Sequence, residues 1–331
     1  MQDLGWDERR EHELGGSDAA GLNPARVARI DRGICTALGP GALRTTTAGQ
    51  PVATGDWVLV GPGPAQGDLP AVVAIMERRS AFVRHRAGEE SGGQVVAANA
   101  NVVFLVASLD TPLSRPRLER YLALGWQSGA RPVMVLTKAD ERSGPDVAAA
   151  QATVRHLAPD VEVRPVSSRT GAGVEELARD FLGPGRTAAL IGPSGVGKST
   201  LINHLVGSHA MATGETRRDG KGRHTTSHRE LIVLPGRGIL IDTPGMRAVG
   251  LWEADEGLTQ AFGDLERLAL TCRFADCRHR REPGCALTAA IDRDELDPER
   301  VTRWHKLRDE LSAVADRQED SRRRAGPGGR H

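Results

Sequence analysis

Three short stretches of this chain carry residue types suited to holding a nucleoside triphosphate. The first is GPSGVGKST, Gly192 to Thr200. Gly192, Gly195 and Gly197, set among Pro193, Ser194 and Val196, let backbone N–H groups approach phosphate oxygens. Lys198 brings a positive charge to the β- and γ-phosphates, and Ser199, followed by Thr200, offers a hydroxyl to Mg²⁺. The second stretch is DTPG, Asp242 to Gly245. From a strand end, Asp242 could reach Mg²⁺ through water, and the Gly245 N–H could meet the γ-phosphate. The third is TKAD, Thr137, Lys138, Ala139 and Asp140. A carboxylate here accepts two guanine N–H donors, a pairing adenine cannot offer, so GTP and GDP are the expected nucleotides. Thr137 stands where asparagine is usual and has fewer bonding groups, so weaker guanine binding is expected. Ser167 and Ser168, opening SSRTG, could add a backbone contact to guanine O6.

The order of these stretches is unusual. In an ordinary GTPase the phosphate loop leads and the guanine motif trails. Here TKAD comes first, the phosphate loop second and DTPG last. The shift joins the switch segment directly to whatever follows the nucleotide fold. Many GTPases place a water-orienting glutamine after the DTPG position; Met246 cannot orient water. KGRHTT, Lys221 to Thr226, is the expected switch. Thr225 or Thr226 could complete Mg²⁺ coordination. His224 could orient the attacking water as a neutral imidazole, or it could be an exposed loop histidine.

A second chemistry lies further on, in Cys272-x4-Cys277-x-His279-x5-Cys285. Three thiolates and one imidazole at short spacing match a closed, tetrahedral, structural Zn²⁺ site. With all four positions filled, none is open for catalysis. The fourth cysteine, Cys35, reads as a small buried residue.

The elements around these motifs suit them. NVVFLVASL, RPVMVLTK, VEVRPVSS, TAALIG and RGILIDTPG read as strands. RPRLERYLALGWQSG, GVEELARDFLG and KSTLINHLVG read as helices, which makes a parallel, doubly wound sheet. The last of these helices leaves the phosphate loop, where its N-terminal dipole favours an anion. Earlier, ARVARID, GALRTTT, DWVLVG and LPAVVAIM read as short strands of a small barrel, with an OB-fold as one candidate. The final helix opens at Pro298 and runs through PERVTRWHKLRDELSAVADRQ.

The expected division is therefore a flexible segment over 1–24, a barrel over 25–92, an α/β GTPase domain of permuted order over 93–255, a zinc-binding helical domain over 256–320 and a basic disordered tail over 321–331. RHRAGEESGGQ, Arg84 to Gln94, reads as the linker after the barrel. With 44 basic and 43 acidic residues among 331, the whole chain is no strongly basic nucleic-acid binder. Local runs such as Arg217 to Arg229 and Arg278 to Arg281 could meet a phosphate backbone or be solvated loops. No run approaches the roughly 20 apolar residues of a membrane span. Few cysteines and no signal-peptide pattern point to a reducing, cytoplasmic setting.

With these residues in view, the chain resembles the small-ribosomal-subunit-dependent, circularly permuted GTPases of the RsgA type. The resemblance runs from Val27 to Leu311. It is carried by GDWV (Gly55 to Val58), SLD (Ser108 to Asp110), TKAD, GPSGVGKSTLIN, GRHTTSHREL, LIDTPGMR and CRFADCRHRREPGCAL. It implies an N-terminal OB-fold, a central GTPase and a C-terminal zinc domain. It also implies late maturation of the small ribosomal subunit, with rRNA as partner and GTP turnover stimulated by that subunit. In this family the GRHTT segment makes His224 a natural candidate for the hydrolytic residue. A monomer with no membrane or DNA partner is expected. Two rival functions remain open: a GTPase acting on another RNA or on the large subunit, and an RNA-binding scaffold with a degenerate nucleotide site.

Overall fold

The computed structural model describes residues 1–15, 21–84, 93–207, 230–242, 258–259 and 261–324. A 3-10 turn, Gln2–Leu4, and helix α1, Glu8–Gly15, come first. Strands β1 (Asn23–Asp31), β2 (Ile34–Leu38), β3 (Ala42–Thr46), β4 (Trp57–Gly61) and β5 (Ala71–Ile75) follow. They pair in the order β1-β2-β3-β5-β4, and β4 returns to β1, which closes a five-stranded barrel of OB-fold order. Ala25, Val27, Cys35, Ala37, Val58, Val60 and Val72 fill it. The alternation of strand side chains puts these small and β-branched residues inside.

Strands β6 (Ala81–Arg84) and β7 (Gln94–Ala98) then form an antiparallel hairpin. The stretch expected to be a linker thus joins two paired strands, and the boundary expected at 92 falls inside a supersecondary unit. Gly55 of GDWV sits against this hairpin at φ 89°; a Cβ there would lie 2.2 Å from the Ala98 carbonyl oxygen. The next residue, Asp56, is fully buried and accepts hydrogen bonds from Ala53 N at 2.7 Å and from Arg78 Nε at 2.7 Å. GDWV is therefore a structural motif of the barrel wall.

The nucleotide-type fold is built from β8 (Val102–Ser108), α2 (Arg115–Gln127), β9 (Arg131–Thr137), α3 (Gly144–Leu157), β10 (Glu162–Pro165), α4 (Val174–Phe181), β11 (Thr187–Ile191), α5 (Lys198–Val206), β12 (Glu230–Leu234) and β13 (Gly238–Asp242). Strands β10-β9-β8-β11-β13 run parallel, and β12 pairs antiparallel to β13. The doubly wound reading holds. Along β8, Val102, Phe104 and Val106 face one core with α4 and α5, while Val103 and Leu105 face another with α2 and α3. Both faces are covered, so every residue from Val102 to Val106 is apolar and buried. The one-pair register Arg29↔Glu230 joins β1 to β12 and links barrel and parallel sheet in one 11-stranded sheet.

Helices α6 (Gly263–Ala269), α7 (Ala286–Asp292) and α8 (Pro298–Arg324) complete the described chain. Asp297 caps α8, accepting from Glu299 N at 2.9 Å. The helix extends to Arg324, four residues into the stretch expected as a disordered tail. Phe262, Leu265, Leu287, Val301, Trp304, Leu307 and Leu311 share one continuous core with α2 and α3. The helical unit therefore leans on the nucleotide fold instead of having a core of its own.

The N-terminal segment is a second departure. Residues 2–15 pack onto the fold instead of hanging free. Arg10, 1 % exposed, donates to the Glu77 carbonyl at 2.6 Å and to Asn99 Oδ1 at 2.8 Å. An arginine in a charged octapeptide reads as solvated until its tertiary acceptors are known. Asp7 pairs with Arg79 at 2.8 Å, and the Arg79 hydrogen bond lowers its pKa from 3.8 to about 2. Because the folded pKa is depressed, this pair stabilises the fold above pH 3.8 and loses its contribution as pH falls through about 2. The pair is half-exposed, so Asp7→Asn is expected to cost no more than about 1 kcal/mol at neutral pH. Urea midpoints of the two proteins should converge between pH 3.8 and 2; a gap that stays constant over that range would remove Asp7 from the docking.

Candidate nucleotide site and metal centre

Because β8, β9, β10, β11 and β13 are parallel, their carboxyl ends lie at one edge of the sheet. Each delivers one of the sequence motifs there: SLD after β8, TKAD at the end of β9, SSRTG after β10, the phosphate loop after β11 and Asp242 at the end of β13. Open α/β sheets bind ligands at this edge.

The phosphate loop turns on Gly195 and Gly197, at φ 84° and 94°, the left-handed region that glycine enters without strain. Gly197 caps α5. Lys198 Nζ donates back to the carbonyls of Gly192 at 2.7 Å and Pro193 at 2.8 Å, so the ammonium lies over the loop. Ser194, Ser199 and Thr200 are exposed, while Val196 is buried beneath. Asp242 is 4 % exposed. Burial pushes its pKa up and the Lys198 charge pulls it partly back, while the Glu230 charge adds to the rise. A buried carboxylate in this state gains from a cation beside it, so Asp242 together with the exposed Ser199 hydroxyl fits Mg²⁺.

TKAD is wired to the phosphate loop. Thr137, 2 % exposed, donates through Oγ1 to the Val196 carbonyl at 2.5 Å and, as a second acceptor, to the Ala107 carbonyl at 3.2 Å. The threonine thus keeps a backbone link from guanine motif to phosphate loop. Lys138, at φ 56°, pairs through Nζ with Asp110 of SLD. That hydrogen bond, and a second from Ser108, lower the Asp110 pKa. Asp140 receives Arg169 Nε at 2.7 Å, and its pKa is held down by Ser167 first and Arg169 second. Ser167 is 1 % exposed, and its Oγ accepts from Thr170 N at 3.1 Å, which shapes the SSRTG turn. His204, in the last turn of α5, lies 3.1 Å through Nδ1 from the Ser168 carbonyl. The Ser168 hydroxyl is buried with no hydrogen-bond partner among the described residues.

Sequence reasoning had not singled out Asp110, Arg169 and His204 as site residues. The first two sat inside quoted motifs; His204 gave no signal, because its partner is 36 residues away. His224, Thr225, Thr226, Gly245 and Met246 lie outside the described residues.

The cysteine cluster assembles between α6 and α7. Ligand atoms of Cys272, Cys277, His279 and Cys285 all lie within 4.8 Å of one another. His279 Nδ1 is 3.4 Å from Cys272 Sγ and 3.8 Å from Cys285 Sγ. A ZnS₃N tetrahedron with Zn–S near 2.3 Å has edges of about 3.5–3.8 Å, so the donor set is compatible with zinc. Burial lowers the His279 pKa, favouring the neutral imidazole that a metal needs. Glu282 braces the loop by accepting from Arg278 N at 3.1 Å and Arg280 N at 2.6 Å. His305 Nε2, from α8, meets the His279 carbonyl at 3.0 Å.

Comparison with known proteins agrees with this geometry. The family profile described as RsgA GTPase matches residues 75–252. That is more than half of the chain.

The chain belongs to the RsgA GTPase family.

Membership makes it a GTP hydrolase, with GTP, GDP and Mg²⁺ as its nucleotides and metal. A relative named small ribosomal subunit biogenesis GTPase RsgA, from Streptomyces avermitilis, is 47% identical over 92% of this chain and 83% of its own length. YjeQ from Thermotoga maritima shares the fold at TM-score 0.63 and 22% identity, over 88% of this chain and 98% of that one. YloQ, described as a circularly permuted GTPase, aligns at TM-score 0.61 and 22% identity, over 91% and 97%. An RsgA-type reading also accounts for the barrel before the nucleotide fold and the Cys₃His cluster after it.

Proposed function

We propose that this protein binds the small ribosomal subunit through its rRNA, assists late maturation there and uses GTP hydrolysis for its own release. The observation that carries the reading is the meeting of TKAD and phosphate loop through Thr137 and Val196, in permuted order, on a fold flanked by an OB-type barrel and a Cys₃His module. Barrels and zinc modules of these types bind RNA. A cytoplasmic, monomeric protein is in keeping with that role.

In this reading the backbone of Gly192 to Thr200 cradles the phosphates, and Lys198 leaves the carbonyls of Gly192 and Pro193 to pair with β- and γ-oxygens. Asp140 accepts the guanine N–H groups, its Arg169 partner moving to the rim, with Thr137 and Lys138 holding the motif and Ser167 and Ser168 closing the base side. Ser199, Asp242 and one of Thr225 and Thr226 would hold Mg²⁺, which would supply positive charge against the β- and γ-phosphates. The Gly245 N–H meets the γ-phosphate and His224 orients the water. Loss of the γ-phosphate contacts frees the switch, which the permuted order joins to the zinc-binding helical unit.

The experiment is GTP hydrolysis by the purified chain, alone and with small or large ribosomal subunits, with ATP as control. Strong stimulation by small subunits alone is expected. Equal turnover in all mixtures would defeat the proposed partner, and absence of turnover would favour a scaffold.

One structural Zn²⁺ is proposed at Cys272, Cys277, His279 and Cys285, where it would cross-link the loop between α6 and α7. Native mass spectrometry should find one zinc per chain. Cys277→Ser should lose it and lower the melting temperature, whereas a zinc-free wild type of the same melting temperature would rule the site out as structural.

A further inference from the structure

Far from the nucleotide edge, a cavity of ≈ 290 Å³ opens where α1, the barrel and the start of β11 meet. Trp6, Trp57, Arg10, Arg26, Arg186 and Thr187 line it. Its charge is one-sided. Asp7 also lines it but is taken up by Arg79, and Arg10 is offset by Glu13 at 2.7 Å. Arg26 is different. It is 1 % exposed, and its partners are carbonyl oxygens, those of Leu4, Gly55 (3.3 Å) and Asn99 (2.8 Å). Those bonds use three of its five N–H groups. Burial pulls its pKa down to about 9, so it stays charged near neutrality. The carboxylate that attracts it, Asp56, is already held by Arg78, so the buried charge is only partly offset. Arg186 lines the same cavity and is exposed, with no side-chain hydrogen bond or ion pair among the described residues. Thr187 Oγ1 and Arg10 Nε are buried and have no hydrogen-bond partner among the described residues. Two incompletely offset cations and two polar groups unused among the described residues therefore share one cavity.

We propose that this cavity binds a small phosphate-class anion, inorganic phosphate or a phosphomonoester, with Arg26 and Arg186 as counter-charges and Thr187 and Arg10 as further hydrogen-bond partners. Two positive charges suit a dianion, and guanidinium groups match phosphate oxygens in geometry. The site is distinct from the phosphate loop. Thr187 begins β11 and Gly192 follows its end, so a strand of roughly 16 Å separates them.

The test uses the full chain saturated with GDP and Mg²⁺, so that the phosphate loop is filled. Tryptophan fluorescence, with Trp6 and Trp57 at the cavity, is followed during titration with inorganic phosphate or with glycerol 3-phosphate at constant ionic strength. A saturable change is expected. Saturation by phosphate alone would identify the inorganic ion, and saturation by both would identify a phosphomonoester site. Arg186→Ala, which breaks no side-chain hydrogen bond or ion pair among the described residues, should weaken the midpoint by about tenfold. Thr187→Val should weaken it at an unchanged melting temperature. Lys198→Ala should leave it where it was. A linear response, the same response to chloride, or an Arg186→Ala midpoint equal to wild type would overturn the site.

Discussion

Lys198→Ala is expected to lower kcat/KM for GTP by about 10²–10³-fold, the usual effect of removing one preorganised charge from a developing phosphoryl transition state. The folded chain should survive the change. Lys198 Nζ donates to loop carbonyls, those of Gly192 and Pro193, at the solvent edge of the sheet. α5 keeps its Leu201, Ile202 and Leu205 face in the core. The melting temperature without nucleotide should therefore stay close to wild type, while GTP no longer raises it. If Lys198→Ala hydrolysed GTP at the wild-type rate in the presence of small subunits, the phosphate loop would not be the catalytic site.

Glu119→Ala is expected to cost about 3 kcal/mol, because it removes the fully buried carboxylate that Arg300 and Arg303 share and leaves them only the more exposed Asp264 and Asp297. Glu119 on α2 is fully buried. Arg300 Nη1 meets it at 3.0 Å and Arg303 Nε at 2.6 Å, both from α8. Within the helical unit, Arg300 also reaches Asp264 at 2.8 Å and Trp304 Nε1 donates to Glu266 at 2.8 Å, which extends the buried pair on α2 into a polar network. A fall in melting temperature on the order of 10 °C follows for a unit of this size. The triple variant Glu119→Leu, Arg300→Met and Arg303→Met should recover part of the loss, since the carboxylates that lose a partner, Asp264 and Asp297, are half-exposed and no fully buried charge is stranded. A single variant melting with wild type would show that α8 is held by its apolar face alone.

Much of the site was legible because it is local. A phosphate loop, a guanine motif and a Cys₃His run each specify their geometry within a dozen residues, through glycine φ angles, a helix terminus and ligand spacing. The strands from Val102 to Asp242 were legible for a related reason: a strand covered on both faces must be apolar at every position. Features resting on distant partners were not legible. β2 was missed between better-patterned neighbours, and β12 and α3 were not singled out. The 84–94 stretch read as a linker because its composition is polar, although its flanks pair as β6 and β7. The N-terminal segment read as flexible because Arg10 and Asp7 find their partners near residues 77–99.

The sequence by itself determined the nucleotide class, the permuted order and the metal-type cluster, since these follow from residue identity at short spacing. Only the tertiary structure decided that Thr137 ties guanine motif to phosphate loop, that Glu119 bolts α8 to α2, and that Arg26 lies buried on backbone carbonyls. Each of these depends on a partner far away in the chain, whose position is set by how sheet and helices pack and not by any local pattern.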